Sequence, residues 1–293
     1  MDAADLRVFE AVARVGSMNK AARELNTVQS NVTARIRALE AGLGTALFER
    51  SSRGVTLTAA GRRLLPYAGR VGGLLEDARR AALDEGTPSG PLAIASLEST
   101  AALRLSSLLA AFAAAHPEVE LSLRTGTSRE LVEAVLDRGV DGAFVCGPVA
   151  HPDLVVEPFF REELVFLTPP SFAGLAELAG RRDLRIVVLR AGCSYRLHLE
   201  AWLARRGIVG LRLLELGTIE AILGCVAAGL GVTLLPRALV GTSRQPDRVA
   251  VHPLPPGEGR VETVFVRHRE AYVSSALRAF LDLARPTLAR AAE

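Results

Sequence analysis

From residue 92 onward, short apolar runs alternate with amphipathic helical stretches, and this alternation constrains the fold more than any other feature. "LAIASL" (92–97), "VELSLRT" (119–125), "DGAFVC" (141–146), "ELVFLT" (163–168), "RIVVLR" (185–190), "LRLLEL" (211–216), "GVTLLP" (231–236) and "VETVFV" (261–266) read as strands. Helical periodicity occupies 99–115, 128–138 and stretches near 194–206, 218–229 and 270–290. Strand–helix alternation predicts an α/β architecture with mostly parallel sheets. Nearly 200 residues is long for one such sheet. Two lobes are therefore expected, lobe I over 92–160 and 268–293 and lobe II over 161–267, with crossovers near 158–163 and 264–269.

The first 85 residues have a different rhythm. Leu6, Phe9, Val12 and Ala13 mark one amphipathic helix that stops at Gly16. Ser17 is a candidate N-cap for a second helix, "MNKAARELN". A third follows in "NTVQSNVTARIRALE", with Val28, Val32, Ile36 and Leu39 on one stripe, and ends at Gly42 and Gly44. "ALFERSSRGVTLTAAG" reads as a strand, a tight turn at 52–54 and a second strand. Thr58 can cap a long helix reaching about Asp84, which Pro66 and Gly72-Gly73 should bend or weaken. "GTPSGP" (86–91) is a linker. The predicted layout is a winged helix-turn-helix domain at 1–60, a linker helix at 58–86, a hinge at 87–91 and an α/β domain at 92–293.

Charge follows the same division. Residues 1–65 hold ten basic and six acidic groups, while residues 66–293 hold 25 and 26. A basic end on a neutral body points to nucleic acid. No apolar run reaches the ~18 residues of a membrane span. The acidic N-terminus does not read as a signal peptide. Cys146, Cys193 and Cys225 are widely spaced, and no His, Cys or carboxylate cluster has metal-ligand spacing. The expectation is a cytoplasmic protein without cofactor or metal.

Residues 17–40 have helix-turn-helix spacing, with small Ala22 placed to meet Val32 where two helices cross. The second helix of such a pair lies in the major groove of double-stranded DNA. This explains its short polar face of Gln29, Ser30, Asn31, Thr33 and Arg35. Gln can read adenine, Arg can read guanine, and Ser or Thr can reach a base or a phosphate. Arg50 and Arg53 suit a wing against phosphates or the minor groove. Ser17 and Thr27 complete the candidate DNA-binding set.

"SMNKAARELNTVQSNVTARIRALEAGLGTALFERSSRGVTLTAAG" resembles the winged helix-turn-helix of the LysR-type transcriptional regulators. Ser17, Ala21-Ala22, Leu25, Gln29-Ser30, Val32-Thr33, Ile36, Leu39-Glu40, Leu43-Gly44, Leu47-Phe48, Arg50, Thr58 and Gly61 carry the likeness. "VQSNVTARIRALE", "DGAFVCGPV" and "GCSYR" look most like the YofA-like subgroup. The resemblance implies a periplasmic-binding-protein-like domain at 92–293 with a small effector between its lobes. It implies homodimers through the linker helix and tetramers on promoter DNA. It places Gln29, Ser30, Thr33 and Arg53 against DNA. Ala34 departs from the larger polar residue of many members, which would shift base contacts to Asn31 or Arg35.

In a two-lobed α/β fold, ligands bind beyond the carboxyl ends of strands, near helix N-termini. The candidate effector contacts are Ser99, Thr100, Thr125, Gly126, Thr127, Gly147, Cys193, Ser194, Tyr195 and Thr218. Hydroxyls beside free N–H groups suit a small anion, and Arg196 could add charge. Glu98 would oppose an anion unless it meets a ligand amine, so the expected effector is anionic or amino-acid-like. Several of these hydroxyls are equally explained as plain helix caps. The competing function is a small-molecule-binding protein or enzyme with an N-terminal dimerisation module. Such a module has no need of a groove-reading face.

Overall fold

The computed structural model describes residues 1–51, 54–178, 183–242 and 248–290, side chains 50, 51, 242 and 288–290 excepted. They form two compact units. Residues 1–85, with 137–139 and 270–274, make the first, and the remainder make the second.

The first unit begins with α1 (Ala3–Val15), capped reciprocally by Asp2 and Asp5 and closed by Gly16 in the left-handed region at φ 65°. Helix α2 (Met18–Glu24) starts at Ser17, whose hydroxyl accepts from the Lys20 N–H. Asn26, at φ 51°, makes the turn into α3 (Gln29–Leu43). Asn tolerates this conformation where most side chains do not. Phe9, Ala21, Ala22, Val32, Ile36 and Leu39 are all buried, so Ala22 and Val32 share one core as the spacing predicts. Val28 does not belong to the buried stripe. It is the N-cap residue of α3 and is 64% exposed. The helix starts one residue after it, so its side chain falls outside the apolar face.

Strands β1 (Phe48–Ser51) and β2 (Gly54–Leu57) form an antiparallel hairpin, the wing. Glu40 of α3 accepts from the Leu47 and Phe48 N–H groups at 2.8 and 3.2 Å, tying the wing to α3. Helix α4 (Ala59–Leu83) is capped by Thr58 and runs unbroken through Pro66 and Gly72-Gly73. It buries Ala68 but leaves Tyr67, Leu74, Leu75 and Leu83 exposed.

The second unit opens with β3 (Gly90–Ser96), followed by a helical path of α5 (Glu98–Thr100), a π-helical turn (Ala101–Leu105) and α6 (Ser106–Ala115). Then come β4 (Val119–Thr125), α7 (Ser128–Leu136), β5 (Gly142–Cys146), β6 (Leu154–Thr168) and β7 (Arg185–Val188). Next are α8 (Ser194–Ala204), β8 (Arg212–Glu215), α9 (Ile219–Ala227), β9 (Thr233–Pro236) and α10 (Arg237–Thr242). The chain closes with β10 (Ala250–Pro253), β11 (Arg260–His268) and α11 (Ser275–Arg290).

The main sheet has seven strands in the order β10-β6-β11-β5-β3-β4, with β9 also on β6. β7 and β8 pair separately. The sheets are mixed rather than mostly parallel. β3 pairs in parallel with β4 and β5, and β7 with β8. β11 runs antiparallel to β5 and β6, as β6 does to β9 and β10. The expected crossovers near 158–163 and 264–269 lie inside β6 and β11, which pair directly. Their register shifts between Thr263 and Val264, which face Phe160 and Pro158 and leave Phe159 as the bulged residue. A bulge also explains how Pro158 is tolerated inside a sheet.

Gly61 sets how closely α4 approaches the wing. A Cβ there would overlap the Leu47 carbonyl oxygen and lie 2.8 Å from Leu57 Cδ2. Alanine's helix propensity, worth about 1 kcal/mol, acts in the other direction. The backbone overlap outweighs it, because a carbonyl cannot rotate away as a side-chain end can. Gly61→Ala is expected to destabilise the first unit by about 1–3 kcal/mol in urea unfolding of the full chain.

Candidate functional site

Helix α3 presents an exposed face that starts with uncharged polar groups and ends at Arg37. Gln29, Ser30 and Asn31 are exposed, as are Ala34 and Arg37, while Thr33 is half-buried. Val28 provides no side-chain cap. The Gln29 and Ser30 N–H groups therefore stay without a hydrogen bond among the described residues. Asn31 donates to the Thr27 hydroxyl at 3.0 Å, which ties two predicted contacts together. Arg35 is turned away from this face. Its guanidinium reaches Asp5 at 3.0 Å and Asp2 at 3.9 Å, so it ties α3 to the start of α1. Arg50 lies on β1 opposite Val55. Arg53 lies outside the described residues.

The second unit encloses a cavity of about 310 Å³. Ser99, Thr125, Gly126, Thr127, Cys193 and Tyr195 line it, as the strand–helix junctions predict. Leu97, Glu98, Leu189, Arg190, Leu216 and Gly217 complete the wall. Of these, Leu97, Leu189, Arg190 and Leu216 escaped the sequence reading. All four lie at or just beyond strand ends, and the carboxyl-end rule covers them once flanking residues are counted.

Four predicted contacts do not reach the cavity wall. Thr100 is fully buried and its hydroxyl has no hydrogen-bond partner among the described residues. Gly147 is held against the main sheet, its N–H donating to the Glu262 carbonyl at 2.8 Å. Ser194 donates to the Ser128 hydroxyl at 2.8 Å. Thr218 caps α9, accepting from the Ala221 N–H at 3.3 Å. Arg196 is also committed elsewhere, to Glu200 at 2.9 Å and Glu215 at 2.8 Å. Arg190 is the basic residue of the wall.

One side of the wall is fixed by local caps. Thr127 and Glu130 form a reciprocal cap on α7, with the Thr127 N–H donating to Glu130 at 2.9 Å. Arg190 donates to the same carboxylate at 3.2 Å. The Thr127 N–H and then Arg190 hold the Glu130 carboxyl below its ordinary value. Cys193 is the N-cap residue of α8 and is buried. Burial pushes its thiol up even though the Arg196 and Tyr195 N–H groups oppose the shift. A thiol held protonated is a poor nucleophile.

The other side rests on a buried polar chain. Tyr195 on α8 donates its hydroxyl to Glu162 on β6 at 3.1 Å, and its oxygen lies 3.0 Å from Ser99 Oγ. The single phenolic proton is used at Glu162, so Ser99 is the donor to Tyr195. All three residues are buried. Burial raises the Glu162 carboxyl above its ordinary value, and Tyr195, Arg104 and Thr263 offset only part of this. A carboxyl whose folded pKa is raised gives full stability below its unfolded pKa and loses it as pH rises through the folded value. Glu162→Gln should therefore gain stability over the wild type across that window, with a plateau above it, in urea titrations at stepped pH. Tyr195→Phe should cost about 1–3 kcal/mol at neutral pH, because Glu162 keeps its burial and loses its donor.

Comparisons with known proteins identify the family. Residues 3–62 match the family described as bacterial regulatory helix-turn-helix protein, lysR family. Residues 85–289 match the LysR substrate binding domain. The chain is 45% identical over 282 residues to the uncharacterized HTH-type transcriptional regulator YusT of Bacillus subtilis, covering 96% of this chain and 95% of that one. It is 42% identical to the HTH-type transcriptional regulator YofA of the same organism, covering 96% and 98%. A full-length OxyR variant from Pseudomonas aeruginosa shares the fold with a TM-score of 0.75 at 22% identity, over 99% of this chain and 97% of that one. The relatives are named as transcriptional regulators, which removes the enzyme alternative. The chain belongs to the LysR family of DNA-binding transcriptional regulators, with an N-terminal helix-turn-helix and a two-lobed α/β effector domain.

Proposed function

We propose that α3 reads promoter DNA in the major groove through Gln29, Ser30, Asn31 and Thr33, while a small effector in the cavity of the second unit sets the regulatory state. The observation that carries this reading is the division of α3. Val32, Ile36 and Leu39 are buried, and the opposite face offers uncharged donors and acceptors next to two unpartnered N–H groups. N–H groups at a helix start suit phosphates, and short polar side chains allow close approach to base edges. Ser17 and Thr27 are the remaining contacts of this reading, with Arg50 and Arg53 assigned to phosphates or the minor groove. The effector is small and anionic or amino-acid-like, as the hydroxyls of Thr125 and Thr127 and the Arg190 guanidinium around the cavity suggest.

The oligomer follows from α4. Tyr67, Val71, Leu74 and Leu75 are between 36% and 60% exposed and follow one another at i, i+4, i+7 and i+8, a stripe that a second copy would cover. The dimer forms along this stripe, and dimers pair on DNA as tetramers.

Gel shifts with the DNA upstream of the protein's own gene test the first claim. Gln29→Ala should weaken specific binding by about 1–3 kcal/mol, roughly 5- to 150-fold, while nonspecific binding holds. Unchanged specific affinity would reject the placement of α3 in the groove. For the oligomer, Leu74→Asp with Leu75→Asp should raise the dimer dissociation constant at least tenfold by analytical ultracentrifugation. A dimer that stays intact would move the interface off α4.

A further inference from the structure

The charges around the cavity decide more about its ligand than the hydroxyls do. Glu98 stands in the wall, half-buried. Its carboxylate makes no hydrogen bond and no ion pair among the described residues. Glu220 adds negative potential there and Arg190 adds positive, while burial disfavours the charged form of Glu98. Arg190 is the basic residue of the same wall and is more than half exposed, its guanidinium shared with Glu130 at 3.2 Å. The cavity thus holds one acidic and one basic side chain. Leu97, Leu189 and Leu216 supply apolar surface among them.

A plain carboxylic acid in this space meets Glu98 as a like charge. A plain amine meets Arg190 as a like charge. A zwitterion can face each with the opposite sign. We propose that the cavity selects an α-amino acid with an apolar side chain, whose ammonium group pairs with Glu98 and whose carboxylate faces Arg190 and the hydroxyls of Thr125 and Thr127. The side chain lies against Leu97, Leu189 and Leu216. The volume of about 310 Å³ is at the small end of ligand pockets, which suits a ligand of this size. Glu98 is then the residue that separates amino acids from the corresponding acids. This inference rests on the cavity being the effector site.

The test is calorimetric titration of the full-length protein with L-leucine, L-valine and L-methionine. Each is run beside its deaminated acid and its decarboxylated amine, such as 4-methylpentanoate and 3-methylbutylamine for leucine. At least one amino acid should bind, with both single-charge analogues at least tenfold weaker. Glu98→Gln should weaken that amino acid at least tenfold and bring the deaminated acid level with it, and Glu98→Asp should keep the preference. Thermal melts of both variants confirm folding. The inference is overturned if no amino acid binds, if the deaminated acid binds the wild type equally well, or if Glu98→Gln leaves the preference intact. Promoter gel shifts on the same preparations keep the two proposals apart. A retained specific shift with an acid-preferring cavity removes the amino-acid assignment and leaves the regulator in place.

Discussion

Two strands, β6 and β11, lie side by side through the second unit, and every other strand of the seven-stranded sheet joins through one of them. β5, β3 and β4 attach through β11, and β9 and β10 attach through β6. The bulge at Phe159 also decides which side chains face inward. Before it, Val156 and Pro158 are exposed. After it, Phe160, Glu162 and Leu164 are buried and Arg161 and Glu163 are exposed. One additional residue in a period-two element exchanges its faces. Without the bulge, Glu162 would share the exposed face of Pro158.

The inward face of Glu162 has a cost and a use. A carboxyl in a low-dielectric interior strengthens each hydrogen bond it accepts and makes each missing one expensive. The Tyr195 hydroxyl is fixed by that requirement and meets Ser99 through the same oxygen. A residue on the central ribbon, one on a helix and one in the cavity wall are joined by two hydrogen bonds. The cavity wall is therefore anchored to the strand that organises the sheet.

The helix-turn-helix was the most legible part of the sequence, because local rules govern it. Capping at Ser17 and Thr58, the buried set of Ala22, Val32, Ile36 and Leu39, and the wing all follow from spacing and propensity. Val28 was misread because the stripe was extended through the turn, where helical periodicity had not yet begun. Arg35 was misread because its partner Asp5 is thirty positions away, beyond any local pattern. In the second unit, element order was legible and strand direction was not. Parallel and antiparallel strands look alike in an apolar run, and the fifteen-residue β6 was seen only in its apolar end. The cavity was half legible. Strand ends gave the neighbourhood, but which way a hydroxyl points depends on contacts made far along the chain, as with Ser194 on Ser128.

The pairing of Arg35 with Asp5 has a consequence for how such a protein can change. The residues that hold α3 in place and the residues it displays form separate sets. Val32, Ile36, Leu39, Arg35 and Glu40 bind the helix to its own domain. Gln29, Ser30, Asn31 and Ala34 touch little of it. Substitution at exposed positions of this kind usually moves stability by no more than about 0.5 kcal/mol. The residues that the helix displays can be exchanged while its mounting stays fixed, so copies of this domain can vary at that face without losing their fold.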